Sequence, residues 1–210
     1  MSTARITRAL AAVALAGLVV GATAGSAGAA PAKAKTVSGT FVGTVSGTDA
    51  YVGVVAAKAK GGRRAVLAYV CDGQQRADWF TAKVTGNHAT LKAKNGDRLT
   101  VALTTSQASG TLTLADGTRQ AFTATPGARP AGLYQAVTKT SGKQYLGGWV
   151  LLPDGTQRGA IKLATSVVAN PTLSFTNPIS TFNVPGVGSV TPKFTDPLSL
   201  NSFTTPIGNL

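Results

Sequence analysis

Glutamate is absent from this sequence, and charge of either sign is scarce. All seven acidic residues are aspartate, against 20 lysines and arginines in 210 residues. Charged residues make up 13% of the chain, against ~25% in ordinary soluble domains. This excludes a highly charged disordered chain. Without glutamate and with 25 glycines, long amphipathic helices are not expected either.

Cysteine and histidine each occur once, which excludes several kinds of site. One cysteine allows neither an intrachain disulfide nor a multi-cysteine zinc site. Cys71 ends a continuous apolar run, so we interpret it as a buried packing residue and not as a reactive thiol. His88 is interpreted as an exposed surface residue. No nucleophile elbow, metal-binding helix or nucleotide fingerprint occurs, and we therefore predict no catalytic residue, no metal ligand and no cofactor.

The first 29 residues have the pattern of a secretory signal peptide. Arg5 and Arg8 precede an apolar stretch over 9–20, and Ala27-Gly28-Ala29 supplies a small-residue cleavage site. A retained membrane anchor is the alternative, but the stretch is short and rich in alanine and glycine. We expect cleavage after Ala29, export by the general secretory route, and a secreted or envelope-associated protein without a transmembrane segment.

What remains is long enough for one domain, and 43% apolar residues suffice for a core. Short apolar runs separated by turn dipeptides such as Asn95-Gly96 and Asp116-Gly117 predict hairpins over 30–164. The predicted strands are 36–46, 51–57, 65–71, 78–84, 89–93, 99–103, 110–115, 119–124, 132–138, 145–152 and 157–163. About eleven strands at this spacing predict an all-β, antiparallel sandwich or barrel.

Side-chain alternation divides these strands into two kinds. Residues 98–103 and 111–114 alternate apolar with polar, which is typical of a strand with one face in water. Residues 51–55, 66–70 and 145–151 are apolar on both faces. We therefore expect a second layer, a partner or the C-terminal tail to cover their outer side.

The segment 165–210 has a different composition from the domain before it. It holds six of the ten prolines and only two charged residues, Lys193 and Asp196. Proline at this density opposes helix and interior strand, so we expect an extended or disordered tail. Its phenylalanines suggest an alternative, an apolar arm that docks on an exposed sheet face. The candidate docking residues are Phe175, Phe182, Phe194 and Phe203.

The excess of positive charge lies in the β-domain. Residues 33–162 hold 17 lysines and arginines and six aspartates, a net of +11. Alternation places many of these cations, Arg158 and Lys162 among them, on solvated faces, where they either serve solubility or attract an anionic polymer. Trp79 beside Lys83 suits stacking on a sugar or a base, or half-buried packing. The candidate binding residues are Trp79, Lys83, Lys92, Lys94, Arg98, Arg158 and Lys162.

Three segments resemble small exported β-rich proteins of actinobacteria: GTDAYV at 47–52, AYVCDG at 68–73 and GGWVLLPDGTQRG at 147–159. The resemblance covers the β-domain and not the tail; it implies a cell-envelope or secreted setting and no catalytic residues. The hairpins that begin at Gly39 also resemble avidin-type barrels in outline. The small number of aromatic residues argues against a biotin-like pocket.

Two classes of function follow from these observations. The first is an exported noncatalytic β module that binds an anionic envelope polymer or a protein partner through a cationic sheet face, with nucleic acid as a further possible polymer. The second is a small secreted hydrolase of unfamiliar type, and inhibitory or structural roles stay open beside it. A polar cleft around Asp78, Asp97 or His88 would favour an enzyme, and a flat cationic face would favour binding.

Overall fold

A computed structural model describes residues 35–200, all of which belong to one compact unit without α-helix. The segment 1–29 and Phe203 lie outside the described residues. No helix within 35–200 has the length and apolar character needed to cross a membrane. The all-β class is therefore confirmed for this part of the chain.

The first eight strands form a closed antiparallel barrel in which each strand pairs with the next and the last pairs with the first. They are β1 (Gly39–Val45), β2 (Tyr51–Ala56), β3 (Arg64–Cys71), β4 (Ala77–Val84), β5 (His88–Lys92), β6 (Arg98–Leu103), β7 (Ala108–Thr113) and β8 (Arg119–Pro126). Predicted turn dipeptides stand at most of these connections, with Gly96 and Gly117 in the left-handed backbone region that such turns require. The connection from β6 to β7, over 104–107, has no such dipeptide and was not predicted as a turn.

Two glycines allow the strands of the barrel to approach closely. A Cβ atom on Gly43 would lie 2.0 Å from the carbonyl oxygen of Thr123, and one on Gly110 would lie 1.8 Å from that of Thr100. Any other residue would force the neighbouring strand away. These glycines therefore belong to the device that bends the sheet into closure.

Alternate residues of β1–β8 point inward and fill the barrel with an apolar core. Its large members are Phe41, Val52, Val54, Val66, Val70, Phe80, Leu91, Leu99, Leu112 and Phe122. The interior is thus a packed core built from all eight strands.

Arg64 is a charged residue at one end of this core and is buried. Its Nη2 donates to the carbonyl oxygen of Gly86 at 2.7 Å and to Oδ1 of Asn87 at 3.3 Å. Nε and Nη1 have no hydrogen-bond partner among residues 35–200. Burial disfavours the charged form and lowers the pKa of the guanidinium from its usual value.

A second sheet packs on the outside of β1–β4. It contains β9 (Gly132–Thr140), β10 (Lys143–Leu151), β11 (Gln157–Leu163), β12 (Ser166–Ala169) and β15 (Lys193–Phe194), in the spatial order β12-β11-β10-β9-β15. The interface joins outward residues of the barrel, among them Val42, Leu67, Tyr69 and Cys71, to Leu133, Leu146, Val150 and Ala160 of the sheet. The second faces of 51–55 and 66–70 are covered in this way.

The other face of the second sheet is covered by residues 170–190. This segment contains the hairpin of β13 (Phe182–Val184) and β14 (Gly188–Val190). Leu173, Val184, Val187 and Val190 are buried there against Tyr134, Tyr145, Trp149 and Ile161. The described molecule therefore has three apolar layers: the barrel interior, the barrel–sheet interface and the sheet–tail interface.

Trp149 is the centre of the third layer and is completely buried. Its indole lies on Gly147 and Gly159, where Cβ atoms would come within 2.4 and 1.8 Å of the ring. Its Nε1 donates to the carbonyl oxygen of Pro171 at 2.8 Å. Gln157 holds the backbone of Leu173 with two hydrogen bonds of 2.7 and 2.9 Å. The chain after β12 is thus fixed by both packing and hydrogen bonds.

The eleven predicted strands correspond to β1–β11, whereas β12–β15 were not predicted. The prolines of this part of the chain lie between those short strands and outside them, at 171, 178, 185, 192 and 197. Proline lacks the N–H that a ladder requires, so its spacing limits the strands to two to four residues. High proline content therefore shortened the strands of this segment without preventing them.

Candidate functional site

The second sheet leaves part of the barrel uncovered, and we call this surface the free wall. It consists of the outward side chains of β5–β8 together with Thr81 and Lys83 of β4. Its members on β5–β8 are His88, Thr90, Lys92, Arg98, Thr100, Ala102, Ser109, Thr111, Thr113, Arg119, Ala121, Thr123 and Thr125. None of them is an aspartate.

Cations cross the free wall in one row of paired residues. Lys92 pairs with Arg98, Arg98 with Thr113, and Thr113 with Arg119. Neighbouring strands lie about 4.8 Å apart, so the row from Lys92 to Arg119 spans roughly 14 Å. Lys92 and Arg98 stand directly opposite each other, an arrangement of like charges that destabilises a sheet. Folding alone does not explain this pair.

The cations of the free wall are not neutralised by ion pairs with acidic side chains of the described residues. Lys83, Lys92, Arg98 and Arg119 are exposed, and none forms an ion pair with another residue of the described range 35–200. That range contains 17 lysines and arginines against seven aspartates, a net of +10. The free wall is therefore a region of uncompensated positive charge.

Most aspartates are engaged in turns, and one of these turns, with Asp116, joins β7 to β8 at the end of the free wall. Asp72 accepts the backbone N–H groups of Gln74, Gln75 and Arg76 with one oxygen. Backbone and side-chain hydrogen bonds from Thr118 hold the pKa of Asp116 below its usual value. The Thr156 side chain and backbone do the same to the pKa of Asp154. These carboxylates serve local backbone geometry, as their positions before glycine indicate.

A polar cleft of about 420 Å³ adjoins the free wall where the barrel meets the second sheet. We call it the junction cleft. It is formed by the β3–β4 loop, β4, the β5–β6 turn, β10, β11 and the turn after β11. The lining residues are Asp72, Gln75, Arg76, Ala77, Asp78, Trp79, Ala93, Lys94, Asn95, Leu146, Lys162, Ala164 and Thr165.

A chain of ion pairs forms one side of the junction cleft. Lys162 lies 3.3 Å from Asp78, Asp78 lies 3.5 Å from Arg76, and Arg76 lies 2.7 Å from Asp97. The second oxygen of Asp97 accepts the backbone N–H of Ala115 at 2.9 Å. These contacts tie the β3–β4 loop to the β5–β6 turn and to β11, and so fix the shape of the cleft.

The same ion pairs restrict the chemistry of the two carboxylates. Hydrolysis of a glycosidic bond uses one protonated acid and one free carboxylate that face the same bond. Asp97 is buried with both oxygens engaged, and Asp78 is held between two cations. Ion pairs and hydrogen bonds thus engage both carboxylates.

Trp79 lies in the junction cleft as a fixed aromatic surface. Its ring centroid is 4.4 Å from that of Tyr69, which is completely buried. Gly148 of the second sheet faces both rings, and a Cβ atom there would approach each of them to 2.6 Å. The half-buried indole is thus supported from behind while part of it lines the cleft.

The structure separates the predicted binding residues into three places. Trp79, Lys94 and Lys162 line the junction cleft. Lys83, Lys92 and Arg98 lie on the free wall. Arg158 belongs to neither, because its guanidinium lies 4.8 Å from the ring centroid of Tyr51 and donates to the carbonyl oxygen of Gln157.

The expectation that Arg158 and Lys162 project from a solvated face was wrong. Both lie on the face of β11 that is turned toward the barrel, the same face as the buried Ala160. Alternation correctly placed Arg158 and Lys162 on the same face of β11, but it did not show that the barrel covers this face. The ion pair of Lys162 with Asp78 is a consequence of that cover.

The four phenylalanines of the tail also differ in position. Phe182 packs edge-on to Trp149 at 6.2 Å, and Phe194 packs edge-on to Tyr134 at 5.4 Å. Arg129 lies 4.1 Å above the ring of Phe194. Phe175 is exposed beside the turn at Gly155, and Phe203 is outside the described residues.

Arg76 and Arg119 were not named from the sequence, and Asp97 was named only as a possible member of an enzyme's cleft, not as a binding residue. Alternation in β8 does indicate that Arg119 points outward. Phe122 and Ala124 point into the core, and Arg119 has the opposite parity in the strand. Asp97 follows Asn95-Gly96 and resembles a turn residue, and Arg76 lies in a loop without periodicity. Nothing local indicates that these last two meet.

Comparisons of the chain with protein-family models, with curated proteins and with solved structures found no match. The resemblance to small exported actinobacterial proteins therefore stays a prediction. Within residues 35–200, no three histidine, cysteine or aspartate side chains are grouped closely enough to hold a metal ion.

Proposed function

We propose that this chain is an exported noncatalytic module that binds an anionic polymer of the cell envelope on the free wall. The observation that carries the proposal is the row of exposed, unpaired cations on a surface without acidic residues. The directly opposed Lys92 and Arg98 add to it, because such a pair lowers stability unless a ligand neutralises it.

The physical basis of binding is the release of counterions from the polymer. Lys83, Lys92, Arg98 and Arg119 offer four contacts, for which we expect affinity to fall about 10- to 100-fold as salt rises from roughly 50 to 200 mM. Between these contacts the free wall is rich in threonine and carries no charge, and a shallow depression of about 370 Å³ lies among His88, Thr100 and Ser109. The free wall therefore admits a flexible polymer without requiring one defined conformation.

Export is part of the proposal, since an envelope polymer is met only outside the cytoplasm. The signal pattern over 1–29 supports it. Determination of the N-terminal residue of the exported protein tests this part, with Ala30 expected as the first residue. A chain that stays in the cell with Met1 intact would contradict it.

The decisive experiment compares two variants with the same change of net charge. The first replaces Lys83, Lys92, Arg98 and Arg119 by glutamine on the free wall. The control replaces Lys35, Arg63, Lys139 and Lys143, which are exposed elsewhere. Binding to polyphosphate and to lipid-free teichoic acid is measured across a salt series.

We expect the free-wall variant to lose at least about 10-fold in affinity at low salt and the control to keep its affinity within about twofold. Equal losses in both variants would show that total charge, and not the free wall, governs binding. Absence of binding to either polymer at low salt would overturn the proposal and favour a protein partner, or an inhibitory or structural role.

A further inference from the structure

We infer that the junction cleft holds one sugar ring of the bound polymer on Trp79, so that the ligand is an acidic glycan. This inference rests on the proposed function of the free wall and deepens it. It assigns to the cleft a separate task, the recognition of sugar, beside the electrostatic attraction of the wall.

The size and the position of the cleft fit this task. Its volume of about 420 Å³ lies within the range of roughly 300–1,000 Å³ that is common for small-molecule sites. Trp79 and Lys94 both line the cleft, and Thr81 and Lys92, two residues away from each of them, pair directly on the free wall. A polymer with one unit in the cleft therefore continues directly over Lys92 and Arg98.

The indole of Trp79 offers the apolar surface that a pyranose ring requires. The C–H bonds on one face of such a ring are apolar, and aromatic side chains supply a flat surface against which they pack. The indole packs against the ring of Tyr69 and against the backbone at Gly148, and these contacts hold it in place. Because the surface is preorganised, little side-chain entropy is lost when the sugar binds.

The polar groups around Trp79 match a ring of hydroxyl groups. Each hydroxyl both donates and accepts, and so requires donors and acceptors at the same site. Lys94 and Lys162 donate, the carboxylate of Asp78 accepts, and Gln75 and Asn95 do both. The two ion pairs of Asp78 leave lone pairs of its oxygens free for a hydroxyl.

Nucleic acid fits the same surface less well. Proteins that bind single strands present successive aromatic side chains, one for each base. The free wall contains no tryptophan, tyrosine or phenylalanine, so Trp79 stands without a second platform. The carboxylate of Asp78 also repels a phosphate that follows a base into the cleft. One platform with mixed donors and acceptors favours a sugar.

The two tryptophans of the chain make the inference measurable, because only Trp79 is accessible. Trp149 is completely buried, so a change of fluorescence on binding reports Trp79. The full exported chain is titrated with polygalacturonate, an acidic glycan, with polyphosphate, an anion without sugar, and with single-stranded poly(dT). Each titration is repeated with Trp79→Leu and with Trp79→Phe. Because both variants lack the reporting indole, the affinities of all three proteins are measured by isothermal titration calorimetry.

We expect polygalacturonate to change the fluorescence and Trp79→Leu to weaken its binding by at least about 10-fold, with partial recovery in Trp79→Phe. The affinity for polyphosphate should change less than about twofold, since that polymer uses the free wall. If Trp79→Leu fails to fold, the double variant Gln75→Ala, Lys94→Ala replaces it. Both of these side chains are exposed at the rim of the cleft.

Unchanged binding of polygalacturonate in the folded Trp79→Leu variant would overturn the inference while leaving the proposed function intact. A loss that affects poly(dT) and not polygalacturonate would overturn it in favour of nucleic acid. Failure of the unmodified protein to bind any polymer at low salt is a different result, and it would contradict the proposed function itself.

Discussion

The two sides of the barrel have the same interior and opposite exteriors. On the covered side, the outward residues are apolar, as with Val42, Leu67 and Tyr69. On the free wall they are threonine, lysine and arginine, as with Thr100 and Arg98. Because inward residues of both sides pack into one core, barrel closure places no demand on the exterior. The exterior was therefore free to serve a second sheet on one side and a charged surface on the other.

This comparison shows where stability and function reside in the molecule. The covered side belongs to a stack of three apolar layers, and disturbing it should cost free energy of unfolding. The free wall contributes little packing and contains an unfavourable pair of like charges. Substitutions there should affect binding and leave stability nearly unchanged.

The largest loss of stability is expected for Trp149→Ala. The substitution removes a completely buried indole and its hydrogen bond to Pro171, and large-to-small changes of this kind cost about 3–5 kcal/mol. Chemical denaturation measures the loss, and limited proteolysis should show new cleavage within 170–195. The control is Trp79→Leu, whose half-buried ring should cost less. Equal losses in the two variants would contradict the importance of the third layer.

A smaller loss is expected when the space beneath Trp149 is filled. In Gly159→Ala the new Cβ atom would lie 1.8 Å from Cδ1 of the indole, and overpacking of this kind costs about 1–3 kcal/mol. Gly39→Ala is the matched control, since its Cβ atom has no neighbour closer than 3.5 Å. Thermal unfolding of both variants decides the matter. A stable Gly159→Ala variant would show that the indole moves aside freely.

Substitution of Cys71 by alanine tests the packing of the covered side, and it changes no charge at neutral pH. The thiol is free and buried, and burial raises its pKa from the usual value. We expect Cys71→Ala to cost about 1–2 kcal/mol at pH 7, and a thiol reagent to react slowly before unfolding and rapidly after it. Fast reaction with the native protein would contradict burial.

The raised pKa also predicts how this difference varies with pH. The thiol binds its proton more tightly in the folded state than in the unfolded chain, where its pKa is about 8.5. Its contribution is therefore complete below pH ~8.5 and is lost as pH rises through the folded-state pKa. The stability difference between the protein and Cys71→Ala should narrow above pH ~9. A constant difference up to pH 10 would contradict the raised pKa.

The smallest effect on stability, with the opposite sign, is expected on the free wall. Lys92→Glu replaces the like-charged pair with Arg98 by an opposite-charged pair, which should stabilise the sheet by about 0.2–1 kcal/mol. The same change should weaken polymer binding because it adds a negative charge to the row. Lys92→Gln separates the loss of a cation from the gain of an anion. A variant that binds as well as the original would place the polymer elsewhere.

Local signals in the sequence were sufficient to predict the strands of the barrel and most of the outward residues of the free wall. Turn dipeptides such as Asn95-Gly96 separate the strands, and period-two alternation places Lys92 and Arg98 opposite the buried Leu91 and Leu99. These signals act within a few residues, so they are present in the sequence itself. Closure of eight strands is different, because β1 pairs with β8 across about eighty intervening residues.

The composition of the tail indicated that it is apolar, but not which residues anchor it. The phenylalanines were the visible candidates, whereas Leu173, Val184, Val187 and Val190 are more deeply buried than any described phenylalanine of the tail. Valine and leucine between prolines form no periodic pattern. Their burial depends on the surface that the second sheet offers, with Trp149 at its centre.

The sequence by itself determined the all-β class, the hairpin turns and the side of its strand on which each residue lies. Only the tertiary structure decided what each side meets. Lys92 and Lys162 both alternate with apolar neighbours. Lys92 faces water, whereas Lys162 lies between the second sheet and the barrel, against Asp78. The reason is that alternation is a property of one strand, whereas cover is a property of packed layers contributed by residues far apart in the chain.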